Sequence, residues 1–165
     1  MRWPWQAKER NVPPGAKTQT PAQTTGDPST RLRVALSKSK GQAGERAAER
    51  FLRKHGHRIL ARNVAFRQGE VDLVTLEKRS RTVCFVEVRS RTLDDGEDPA
   101  IRPEETVGRA KRRRVISAAK MFLAQHGALD RPVRFDVVAV EFHGADRRRP
   151  EIRHYAGAFD ATGNV

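Results

Sequence analysis

The chain opens with about forty residues almost free of aliphatic side chains, and periodic apolar positions begin only near Gly41. The stretch "GQAGERAAERFLRKHG" places Ala43, Ala47, Ala48, Phe51 and Leu52 on one stripe, which predicts a helix stopped at Gly56. "RILARNVAF" reads as a strand, and "GEVDLVTLE" and "RTVCFVEVRSR" as two more. An acidic segment with Gly and Pro, residues 92–106, predicts a loop. A second helix follows, "VGRAKRRRVISAAKMFLAQHG", with Val107, Ala110, Val115, Ala118 and Phe122 on its apolar stripe and Gly127 at its end. "PVRFDVVAVEF" is a strong strand, "GADRRRP" a turn and "EIRHYAGAF" a last, weaker strand. The order α-β-β-β-α-β-β predicts a mixed α/β domain with a central mixed sheet flanked by helices.

The pattern also divides the chain. Residues 1–40 are Pro-, Thr- and Gln-rich and are expected to form a disordered basic tail. The domain is expected over 41–158, and 159–165 as a flexible C-terminus.

The two central strands carry carboxylates inside apolar runs. With a turn at Arg79–Ser80, Leu76 faces Val83, Val74 faces Phe85 and Asp72 faces Glu87 on one side of the hairpin. Glu70 and Arg89 fall opposite each other on that side too, while Val71, Leu73, Val86 and Val88 line the other. Both sides are apolar, so the hairpin is expected to be central and covered twice. Opposed carboxylates destabilise a sheet unless something neutralises them. A hard divalent cation such as Mg²⁺ or Mn²⁺ would do so, taking carboxylate, water and phosphate oxygens. Salt bridges to Arg89 or Arg134 would do so as well, without any metal.

Two further residues tip toward the same region. Glu45 precedes Ala48 by three and Leu52 by seven, so it shares their side of the first helix. Its alternative is a first-turn acid favouring the helix dipole. Lys111 precedes Val115 by four and Ala118 by seven, which turns it toward the apolar stripe; its alternative is a solvated base. Asp136, inside "RFDVV", is a fourth acid, with an ion pair to Arg134 as its plain explanation.

Charge sharpens the picture. The 165 residues carry a formal net charge of +13, which favours a polyanionic partner. The first forty residues hold eight basic and two acidic side chains, enough for non-specific phosphate contacts. Arg109, Arg112 and Arg113, around the start of the second helix, are candidate backbone contacts for nucleic acid. The lone Cys84 excludes an internal disulfide or Cys-rich zinc site, and no apolar run reaches signal-peptide or membrane-span length. A cytoplasmic protein is the expectation.

The motifs "GQAGERAAERFL", "GHRILARNVAFRQGEVDLV", "VCFVEVRSR" and "RFDVVAV" together resemble the YraN family of small bacterial proteins, from about Lys40 to Tyr155. The resemblance implies a restriction-endonuclease-like fold similar to archaeal Holliday-junction resolvases, with a PD-(D/E)xK type of site. It implies a Mg²⁺- or Mn²⁺-dependent endonuclease acting on DNA rather than RNA, possible homodimers, and branched DNA as one substrate class. Glu45 matches that motif's helix acid, Asp72 its first metal-binding aspartate and Glu87 the acid of E-x-K. Arg89 stands where the lysine is expected and cannot relay a proton as a lysine can; Lys111 is the candidate to replace it. That departure favours one alternative, a catalytically weak or inactive DNA-binding module of the same fold; a second alternative is an accessory factor that binds a protein partner.

Overall fold

The computed structural model describes residues 28–93, 107–143 and 149–164, with side chains described from Gly41 onward. Seven elements follow in the expected order: α1 (Pro28–Lys54), β1 (His57–Phe66), β2 (Gly69–Glu77), β3 (Val83–Leu93), α2 (Arg109–Gln125), β4 (Val133–His143) and β5 (Glu151–Phe159). Helix α1 starts thirteen residues before Gly41. Pro28 is suited to a first helical turn, and nothing from Ser29 to Lys40 is Gly or Pro. Of the tail expected over residues 1–40, residues 28–40 belong to α1 instead; residues 1–27, the loop acids Asp94, Asp95, Glu97 and Asp98, and most of the turn before β5 lie outside the described residues.

The strands form one sheet in sequence order, β1-β2-β3-β4-β5. Every neighbouring pair is antiparallel except β3 and β4, which run parallel and are joined through α2. That parallel pair needs a long crossover, and α2 supplies it. The expected hairpin register is present: Leu76 pairs with Val83, Val74 with Phe85 and Leu73 with Val86. The turn is wider than Arg79–Ser80 alone, because Glu77 N donates to Thr82 O and Arg81 takes a left-handed φ of 59°.

Each face of the sheet buries one helix. Val74, Leu76, Val83 and Phe85 pack with Val115, Ala119, Phe122 and Leu123 of α2. Leu73, Cys84 and Val86 pack with Ala47, Ala48 and Leu52 of α1. The hairpin is thus covered on both sides, as its apolar faces require. Two positions depart from strict alternation. Val71 belongs to the α2 cluster rather than to the side of Leu73. Next to it on β1, Arg62 and Asn63 are both exposed and Asn63 has a φ of 48°, so the outer strand turns over at this point. Ala110, placed on the apolar stripe by spacing, is exposed; α2 buries Ile116 and Ala119 instead.

The C-terminal residues fold back on the domain. Phe159 is buried and stacks on Phe135 at 5.2 Å, and Asp160 accepts from the backbone of Thr162 and Asn164. Gly56 and Gly127 end the two helices with φ of 86° and 58°, conformations that favour glycine.

Candidate functional site

The β2–β3 ladder stops at Leu73–Val86. Beyond it β2 stays with β1, while β3 continues along β4 as far as Leu93. The two central strands therefore fork, and the backbone N–H of Val88 loses its strand partner. Asp72 replaces it: its Oδ2 accepts from Val88 N at 2.8 Å. Glu87 adjoins this fork, only 2% exposed.

Two close approaches bring the helices to the fork. Gly44 of α1 packs so tightly on Ser90 of β3 that a Cβ there would overlap the Ser90 side chain. Gly69, at the start of β2, lies against the Arg114 carbonyl of α2 with no room for a Cβ. The first contact brings Glu45 within electrostatic reach of Asp72; the second sets Glu70 and Asp72 near Lys111.

Lys111 is the cation that reaches the acids. Its Nζ lies 3.0 Å from Glu70 Oε1 and 3.3 Å from Glu87 Oε1. Glu70 therefore pairs with Lys111 and not with Arg89, because the ladder that would have opposed Glu70 and Arg89 has already ended. Arg89 Nε stands 3.8 Å from Glu87 Oε1, beyond hydrogen-bond distance. Glu87 Oε2 is buried with no hydrogen-bond partner among the described residues.

The electrostatics follow from this packing. Burial, then repulsion from Asp72, pushes the Glu87 carboxyl up to about 7, against the pull of Lys111 and Arg89. Burial also raises Asp72, opposed by the Val88 N–H and Lys111. Glu45 is raised by burial, with a hydrogen bond from Asn63 opposing and Asp72 reinforcing the shift. Burial pulls Lys111 down, yet Glu87, Glu70 and Asp72 outweigh it and leave it raised. The cluster holds more buried negative charge than its own cations relieve. Among the described residues, no three His, Cys, Asp or Glu side chains form a group that could hold a metal by themselves. A hard cation here would rest on Asp72 and Glu87 with water and substrate oxygens, a donor set Mg²⁺ commonly accepts. The unpartnered Glu87 oxygen fits that use.

The remaining sequence candidates separate. Asp136 lies away from the fork, bound by Arg134 at 2.8 and 3.0 Å, by His154 Nε2 at 3.0 Å and by Gly157 N at 2.9 Å. Burial alone would raise it, but those bonds hold it below the usual carboxylate range. It is the ion pair its neighbour Arg134 suggested. Arg134 is thereby committed to Asp136 and Glu77 and is no partner for Asp72 or Glu87. Arg109 and Arg113 are exposed on α2. Arg112 instead donates to Val107 O at 2.7 Å and Gly163 O at 3.1 Å, with its guanidinium 5.8 Å from the Phe159 ring centre. It fastens the C-terminal residues to α2. Sequence reasoning missed Asn63, whose available signal was an Asn inside a strand pattern, a residue that tolerates the left-handed region.

Among the described residues no helix is long and apolar enough to cross a membrane. Residues 44–140 match the model of the "Uncharacterised protein family UPF0102". A UPF0102 protein of Anaeromyxobacter sp. strain Fw109-5 is 49% identical over 126 residues, covering 76% of this chain and 88% of the relative. One from Myxococcus xanthus is 44% identical over 121 residues, covering 73% and 89%. A UPF0102 protein of Rhodopirellula baltica is 37% identical over 123 residues, covering 74% and 71%.

Proposed function

Taking as premise that the chain belongs to the UPF0102 family, the YraN family of the sequence resemblance, we propose that it binds nucleic acid and hydrolyses phosphodiester bonds with a divalent cation held by Asp72 and Glu87. The observation that carries this reading is the buried Glu87 carboxylate, one oxygen unpartnered, repelled by Asp72 at a fork of two central strands. A structural acid in such a place has both oxygens bonded, as Asp136 has.

A bound Mg²⁺ or Mn²⁺ supplies a Lewis acid and a water of lowered pKa. The chain supplies the rest. Asp72 is oriented by the Val88 N–H, so its second oxygen is fixed in direction. Lys111 bridges Glu70 and Glu87 and stands ready to hold a phosphate oxygen or orient a water. Arg89 offers a guanidinium charge to the phosphorane-like transition state. Glu45, steered by Asn63, supports Asp72 from the helix. Arg109 and Arg113 are free to meet flanking phosphates. DNA, branched forms included, and a homodimer are parts of this reading that rest on resemblance.

A second reading is a DNA-binding module without catalysis. The Lys111 ammonium at 3.3 Å from Glu87 favours it, because that contact neutralises part of the charge a metal would take. The two readings part in one assay. The full-length chain is incubated with branched, single-stranded and duplex DNA in Mg²⁺, Mn²⁺ or EDTA, beside Asp72→Asn/Glu87→Gln. Metal-dependent cleavage lost in the double variant supports the nuclease. Binding without cleavage in every metal overturns it in favour of the module.

A further inference from the structure

The charged row on β3 continues past the fork. Glu87, Arg89 and Arg91 alternate along one side of the strand, beside Val137, Ala139 and Glu141 of β4. Arg153 of β5 lies across from Ala139 on that side. Glu141 is 3% exposed and receives two guanidiniums, Arg91 through Nε and Arg153 through Nη2 at 2.6 Å. Arg153 also reaches Glu151 at 2.9 Å, but that acid is itself exposed.

One buried carboxylate thus orients two arginines whose side chains remain 24% and 36% exposed. Buried Arg–Glu–Arg clusters give little net stability compared with apolar packing. What this one provides is orientation. Two planar forks are held at the surface, and the Arg153–Glu151 pair is an exposed ion pair of the weak kind that a phosphate can replace. Steps of two residues along a strand are about 6.6 Å, comparable to the separation of neighbouring phosphates on an extended nucleic-acid strand. We propose that Arg91 and Arg153, held by Glu141, form a phosphate-binding subsite for the nucleic-acid backbone, two such steps along β3 from the phosphodiester at Asp72 and Glu87. Arg89 lies between the two positions. The identity of the occupant rests on the function proposed above; the built charge cluster does not.

The test is equilibrium binding of the full chain to a fluorescein-labelled single strand and its duplex, in EDTA, from about 50 to 200 mM salt. Arg153→Gln leaves Glu141 paired with Arg91. Arg91→Gln/Glu141→Gln removes one cation together with the buried acid, so neither variant strands a charge. Each is expected to melt near the wild-type temperature. Each should flatten the slope of log affinity against log salt by about one phosphate contact, roughly 0.7 to 0.9. Arg153→Lys should keep the slope and lose affinity, since the charge stays and the fork is lost. Folded variants with the wild-type slope would overturn the subsite alone and leave the cleavage reading standing. A wild-type chain that binds neither oligonucleotide would overturn both. Variants that lose binding to phosphatidylglycerol vesicles but keep the DNA slope would assign the cluster to a lipid surface and overturn the subsite.

Discussion

Lys111 Nζ stands 3.3 Å from Glu87 Oε1, yet the Glu87 carboxyl is still pushed up to about 7. The ammonium therefore does not offset burial and the repulsion from Asp72. A carboxyl whose folded pKa lies above its unfolded value of 4.5 adds stability below that unfolded value and loses it as pH rises through about 7. Stability in EDTA should accordingly fall between about pH 5 and 8, by something of the order of 3 kcal/mol for a shift this large. Urea midpoints across that range would show the fall, and Glu87→Gln should flatten most of it. A wild-type profile already flat over this window would contradict the assignment.

Asp72 has two duties that substitution can separate. Its Oδ2 accepts from Val88 N, and its charge opposes Glu87 and Glu45. Asp72→Asn keeps an acceptor and removes the charge. It should leave the metal-free protein at least as stable while weakening Mn²⁺ binding in a calorimetric titration. Asp72→Ala leaves the Val88 N–H without a partner and should cost about 1–3 kcal/mol. Equal Mn²⁺ affinity in wild type and Asp72→Asn would remove Asp72 from the metal site.

The hairpin register was legible because it is local: alternating apolar residues and a short connection place Val74 against Phe85 and Leu76 against Val83. The acids on β2 and β3 were legible for the same reason, since a charge inside an apolar run stands out. What joins separate elements was not. That the ladder ends at Leu73–Val86, turning Glu70 toward Lys111, depends on β3 preferring β4 beyond that point. Arg112 looked like its exposed neighbours because its partners, the carbonyls of Val107 and Gly163, carry no side-chain signature. Asp136 and Glu87 read alike in sequence, and only their partners distinguish them.

Arg112 and Arg113 are adjacent on α2 and should behave oppositely. Arg112→Ala gives up two carbonyl contacts and a position near the Phe159 ring, so it should lower stability by about 1–3 kcal/mol. Its effect on the salt slope of DNA binding should be small. Arg113→Ala is exposed and should leave the melting temperature unchanged, while reducing that slope if it meets phosphate. Thermal melts read beside anisotropy titrations separate the two. A destabilised Arg113→Ala with an intact Arg112→Ala would reverse the assignment.

Gly44 holds α1 against Ser90, and through that contact sets Glu45 beside Asp72. In an exposed helix, Gly→Ala would stabilise by about 1 kcal/mol. Here the added methyl overlaps the Ser90 side chain, so Gly44→Ala should destabilise instead, by about 1–3 kcal/mol. The clash is with a side chain rather than backbone, which makes it reversible. Ser90→Gly in the same chain removes the obstructing Cβ, so the double variant should recover much of the loss through a coupling of about 0.5–3 kcal/mol. Gly69→Ala has no such remedy, because its methyl would meet the Arg114 backbone carbonyl. Denaturant midpoints of the four chains in the Gly44–Ser90 cycle give the coupling directly. Strict additivity would mean that α1 does not depend on this contact for its seat on β3.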